Sequence, residues 1–79
     1  MADTLDRIKK VTADLLHVNM ELIKEESRFV EDLGAESIQS IELVAAFEEE
    51  FDIEMDEDEA LAVKTVGDAA EFIDGVLSQ

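Results

Sequence analysis

Apolar residues recur at three- and four-residue spacing in three separate stretches of this chain, a rhythm that selects amphipathic helices over strands. In the first stretch, from Thr4 to about His17, Leu5, Ile8, Val11, Leu15 and Leu16 share one face. Asp3 or Thr4 would cap this helix, and Asp6 lies in the first turn, where the helix dipole favours an anion. At ~100° per residue His17 projects opposite the apolar centre, as a surface histidine and not a catalytic base or metal ligand. The last stretch opens at Thr65-Val66-Gly67-Asp68, with Thr65 as cap and Asp68 where a capping-box acid would stand. Val66, Ala69, Ala70, Ile73, Val76 and Leu77 then fall on one side, with Phe72 at its edge.

The middle helix, from Ser37 to about Phe51, carries two apolar faces. Ser40, Leu43, Val44, Phe47 and Phe51 lie within an arc of roughly 100°, the width of a core stripe. Ile38, Ile41 and Ala45 fall nearly opposite, among Glu42, Glu48 and Glu49. One stripe is enough to bury a helix in a small bundle. A second, rimmed by carboxylates, reads as an exposed contact patch.

Between the first two helices the period weakens. Leu22, Ile23, Phe29, Val30 and Leu33 are irregularly spaced, with at most a short turn at residues 21–23. So long a loop in a small domain is usually functional or internally packed, here with Phe29 and Leu33 as anchors. Gly34 would supply a positive φ just before the second helix. Residues 52–59 form an acidic connector. A calcium-loop register starting at Asp52 puts Glu57 where the turn glycine belongs and Val63 where the final glutamate belongs, so the match fails. From about Glu57 to Val63 a short helix fits, with Asp56 as cap and Leu61 and Val63 turned inward. The expectation is an all-α fold: a small four-helix bundle with three longer helices, one short one, and a long loop between the first two. It would form one domain over residues 1–79.

Charge narrows the partners. The formal net charge is −16, and no Lys or Arg occurs between Arg28 and Lys64, where most of the acids fall. Nucleic acid and anionic membrane surfaces are therefore poor partners, and basic proteins are the natural complement. No apolar run approaches the ~20 residues of a membrane span. Met1-Ala2-Asp3-Thr4 lacks the layout of a secretory signal, so the expected location is cytoplasmic. With no cysteine, disulfides and thiolate metal sites are absent.

Ser37 stands where the Gly34 loop runs into the second helix, and serine is a favoured N-cap. As a nucleophile it would need a base, and the lone histidine lies on another helix's polar face, so no enzyme is expected. As a substrate it is well placed, because a phosphodiester on its oxygen would meet a helix N-terminus, with Glu36 opposing mildly as a like charge. From these residues alone, a plain cap remains open.

Phe29-Val30-Glu31-Asp32-Leu33-Gly34-Ala35-Glu36-Ser37-Ile38, followed by Ile41-Glu42-Leu43-Val44 and Phe47-Glu48-Glu49-Glu50-Phe51, closely resembles the acyl carrier proteins, and the likeness covers nearly the whole chain. In that family the serine of an Asp-Ser-Leu motif carries 4′-phosphopantetheine, donated from coenzyme A by a phosphopantetheinyl transferase, on a four-helix bundle with one short helix. The resemblance implies that Ser37 is the attachment point and that Glu36, Ile38, Ile41, Glu42, Glu48 and Glu49 form the surface where partner enzymes dock. It implies a monomer that holds acyl intermediates as thioesters on the arm, which imports the thiol this chain lacks. Fatty-acid or related lipid and polyketide enzymes with basic docking surfaces would receive them. Leu43, Phe47 and Leu61 would line the shelter for the acyl chain.

The motif here is Glu36-Ser37-Ile38, with glutamate for aspartate and isoleucine for leucine, and Ala45 is small for its place in the patch. These departures point to the alternative of a dedicated pathway with a peptidyl or other non-fatty cargo. A cofactor-free acidic adaptor is the rival of a different class.

Overall fold

The computed structural model describes residues 4–78, which fold into four helices: α1 (Thr4–Leu16), α2 (Ser37–Phe51), α3 (Glu57–Ala62) and α4 (Val66–Leu77). Asp3, one of the two candidate caps for the first helix, lies outside the described residues. Three helices are long and one is short, and no strand occurs among the described residues, as the apolar spacing predicts.

The core is built where the three long stripes converge. Leu43, Phe47 and Phe51 stack at four-residue spacing along α2. They meet Ile8 of α1 and Val66, Ala69 and Ile73 of α4. Fully burying an aliphatic or aromatic side chain of this size contributes roughly 1.5–3 kcal/mol. α1 adds a polar intruder, Thr12, which is 0% exposed and whose hydroxyl has no hydrogen-bond partner among the described residues. A buried hydroxyl left unpaired costs about 1–3 kcal/mol. Thr12→Val keeps the shape and removes that polar atom, so its urea midpoint should rise, by about 1 kcal/mol or more in stability. A midpoint equal to or below that of the parent would show the hydroxyl to be satisfied in solution.

α1 ends one residue earlier than its pattern suggests. His17 takes a left-handed φ of 58° and turns the chain away. A 3₁₀ turn follows at Met20–Leu22, one residue before the expected position. Its register is set by Asn19, whose Oδ1 accepts from the Glu21 amide at 2.9 Å.

The long loop is pinned to the core by Ile23, Phe29 and Ala35, with Leu33 half-buried beside them. Leu22 and Val30 remain exposed, so only some of its apolar residues turn inward. Its other anchorage is main-chain pairing with the connection between α3 and α4. Phe29 N donates to Lys64 O at 3.1 Å, Val66 N to Ser27 O at 3.0 Å and Gly67 N to Glu25 O at 2.8 Å, around an isolated antiparallel bridge between Arg28 and Thr65. A Cβ at position 67 would stand 3.1 Å from the Glu25 carbonyl, which explains the glycine there.

α3 is capped by Asp56, whose carboxylate accepts from the amides of Asp58 and Glu59. Its inward residue is Ala60, whereas Leu61, expected inside, is 43% exposed. A rotation of ~100° separates neighbours on a helix, so seating small Ala60 against the core swings Leu61 to the rim. Thr65 caps α4 as expected, accepting from the Asp68 amide at 3.0 Å. At the other end of the bundle Arg7 joins α1 to α2: its Nε meets Glu50 Oε2 at 2.8 Å, and its guanidinium lies 4.3 Å above the Phe51 ring. Among the described residues no helix is long and apolar enough to cross a membrane.

Candidate functional site

The approach to α2 is a tightly wound segment. Asp32 N and Leu33 N both donate to Arg28 O at 3.0 Å, and Ala35 N donates to Phe29 O at 2.8 Å. Gly34 has the left-handed φ of 75° that its place in the sequence predicts. Arg28 organises this winding through its charge. Its guanidinium contacts Glu31 and Asp32, with Nε 3.1 Å and Nη2 3.2 Å from the Asp32 oxygens, and its main-chain amide donates to Asp32 Oδ2 at 2.8 Å.

These side-chain hydrogen bonds, with help from the amide, hold the Asp32 carboxyl below the usual carboxylate range, and Asp32 in turn raises Arg28. With its folded pKa depressed, Asp32 contributes stability above its ordinary pKa, and loses it as pH falls through the folded value. A carbon-detected titration should place Asp32 below an unpaired aspartate. Arg28→Gln should move its midpoint back up, and an unmoved midpoint would break the assignment.

Ser37 is the first residue of α2, not its cap. The cap is Glu36, in extended conformation with φ −83° and ψ 167°, and its amide donates to Gln39 Oε1 at 2.9 Å. The helical ladder begins with Ser40 N donating to Glu36 O at 2.9 Å. Gln39 at the third helical position makes Glu36 the residue whose backbone amide needs a partner, which shifts the cap by one residue from the expected serine. Ser37 is therefore exposed, with its hydroxyl free of hydrogen bonds among the described residues.

Beside it lies a cavity of about 360 Å³ between α2, the wound segment and the α3–α4 connection. Leu43, Phe47 and Leu61, the expected lining residues, all border it. The Phe29 and Phe47 rings, 6.3 Å apart and tilted by 53°, form part of its wall. Ser37, Arg28 and Lys64 also border it. The volume falls in the range of small-molecule pockets, and the lining is mostly apolar. His17 is exposed at the end of α1 and does not border this cavity.

Outside the cavity, Ile38 is 68% and Ile41 50% exposed, so the second apolar face of α2 is open to solvent. Glu36, Glu42 and Glu49 are exposed around it. Glu48 differs. It is half-buried, and its Oε2 accepts from the Met55 amide at 2.9 Å, tying α2 to the acidic connector. Among the described residues no group of three or more His, Cys, Asp or Glu is arranged to hold a metal ion.

Residues 6–73 match the family described as "Phosphopantetheine attachment site". An "Acyl carrier protein" of Sulfurovum sp. (strain NBC37-1) is 52% identical over 71 residues, covering 90% of this chain and 95% of its own length. The chain belongs to the acyl carrier protein family. Proteins of that name from Phenylobacterium zucineum (strain HLK1) and Caulobacter vibrioides (strain NA1000 / CB15N) are each 48% identical over 73 residues, covering 92% of this chain and 92% and 94% of their own.

As an acyl carrier protein, the chain takes covalently bound 4′-phosphopantetheine as its cofactor. The geometry fits such a group: an exposed, unengaged hydroxyl at a helix N-terminus, next to a cavity able to receive an apolar chain. Among the cavity-bordering residues that escape a reading by motif are two cations, Arg28 and Lys64. Their signal is nonetheless present in the chain, since they bound the interval that holds no cation.

Proposed function

We propose that Ser37 is where the 4′-phosphopantetheine is attached, and that residues 1–79 form one carrier domain with no catalysis of its own. The observation that carries this reading is the free, exposed Ser37 hydroxyl at the start of α2 and at the edge of the cavity. When bound, the cofactor supplies the thiol that a cysteine-free chain cannot. The chain's own residues do the rest. The first amides of α2, ahead of the helical ladder, and the helix dipole stabilise an anion on Ser37. Leu43, Phe47 and Leu61 exclude water from a tethered apolar chain.

Docking falls to Glu36, Ile38, Ile41, Glu42, Glu48 and Glu49. Exposed ion pairs are individually worth about 0–1 kcal/mol, which suits contacts that must form and release. Glu48 contributes from a position already committed to the Met55 amide, so its part is to hold the patch's shape as well as its charge. The partners of this reading are a phosphopantetheinyl transferase and the basic faces of fatty-acid or related lipid and polyketide enzymes, met by a monomer in the cytoplasm. A dedicated pathway is the second reading, favoured by Glu36-Ser37-Ile38 and by the small Ala45 in the exposed patch.

The test is intact mass after incubation with coenzyme A and a transferase of broad specificity. One added arm on the peptide containing Ser37 is expected. No addition under conditions that modify a known carrier would overturn the reading and favour a cofactor-free adaptor.

A further inference from the structure

Among the described residues the four lysines, Lys9, Lys10, Lys24 and Lys64, make no ion pair, and of these Lys64 is the one that borders the cavity beside α2. Two of the chain's six cations, Arg28 and Lys64, border the cavity that Ser37 also borders. Arg28 is committed to Glu31 and Asp32. Glu31, the carboxylate that borders the same cavity, is thereby taken. Lys64 has no ion pair or side-chain hydrogen bond among the described residues. Its backbone is nevertheless held in place, because its carbonyl accepts from Phe29 N at 3.1 Å and its neighbour Thr65 bridges to Arg28. A fixed root, a free cationic end and an attachment residue on the same cavity together describe a counter-charge for an anion.

We propose that Lys64 is the positioning residue that pairs with an anion tethered through Ser37, drawing the tether over the cavity instead of leaving it in solvent. The inference rests on the attachment reading for Ser37. The shared chemistry is an oxyanion charged at neutral pH, and it has two sources: the phosphodiester at the tether's root, or a carboxylate at the far end of the cargo. An ammonium is suited to either, since it acts as a compact point charge with three rotatable donors. The pairing acts alongside the dipole of α2 and weakens as salt is added.

The experiment uses the full chain, as wild type and Lys64→Gln, in four forms: unmodified, carrying the bare arm, carrying a hexanoyl group and carrying a succinyl group. Intact mass first establishes that the arm is present, so a failure of modification is recorded separately as a failure of the Ser37 reading. The Lys64 side-chain NMR resonances should then shift in the bare-arm or the succinyl form, while those of Lys9, Lys10 and Lys24 stay in place. Modification should also change the thermal midpoint of the wild type in a salt-dependent way, and Lys64→Gln should alter that dependence. A shift already complete with the bare arm assigns the anion to the phosphodiester, and one appearing only with succinyl assigns it to the cargo. Lys64 resonances that stay put in all four forms, with the arm confirmed by mass, would overturn the proposal.

Discussion

Ser37→Ala is expected to take up no phosphopantetheine at all, while melting at or slightly above the parent's midpoint. The first half follows from the chemistry, because the phosphodiester needs the hydroxyl oxygen and alanine has none. The second half follows from the structure. Were Ser37 the helix cap, its loss would cost about 0.5–2 kcal/mol. The cap is Glu36 instead, and the Ser37 hydroxyl makes no hydrogen bond among the described residues. Alanine is the better helix former by up to ~0.7 kcal/mol, so the balance tips weakly toward stability. Intact mass and urea unfolding of the same preparation check both halves. A full-length arm on the alanine variant would move the attachment elsewhere, with Ser40 one turn along α2 the first place to look. A marked fall in midpoint would restore the serine to a capping role.

Phe47→Ala should remove a large part of the fold's stability. Phe47 is 4% exposed, lies between Leu43 and Phe51 on the buried stripe of α2, and packs against Phe29 across the cavity. Truncating a buried phenylalanine to alanine costs roughly 3–5 kcal/mol. Domains as a class have ~5–15 kcal/mol to lose, and a chain of this length sits toward the lower end. The variant should thus be largely unfolded or unfold at a far lower urea concentration. The deleted ring also opens the cavity further, so the neighbouring side chains cannot all close on the space. Phe47→Leu refills most of the volume and should lose much less. Circular dichroism at 222 nm across a urea series reads the difference. A loss under ~1 kcal/mol for the alanine variant would mean that Phe29 and Leu43 collapse into the gap.

What is legible in the sequence is whatever local chemistry dictates. Asp56 and Thr65 cap the helices they precede, because a short acceptor side chain and the amides just beyond it lie within a few residues of each other. Gly34 adopts a left-handed φ for an equally local reason. The exposed Ile38 and Ile41 follow from a helix wheel with two apolar faces. Errors of one residue appear where neighbouring candidates compete. Glu36 takes the cap from Ser37 once Gln39 accepts its amide, and Ala60 takes the inward place from Leu61. Glu48 reads as one more rim acid, and only the course of the connector reveals that Met55 claims it.

The pairing of residues 25–29 with residues 64–67 is out of reach altogether. It joins segments far apart in the chain through backbone atoms, which carry no mark of residue type. The same holds for the meeting of Arg28 and Lys64 beside one cavity, which depends on that pairing.

That clasp decides which substitutions the chamber wall tolerates. Because peptide groups do the fastening, replacing the side chain of Lys64 leaves the seam's three N–H donors and three carbonyl acceptors in place. One wall of the chamber can therefore change its charge at that position while the frame around it stays the same.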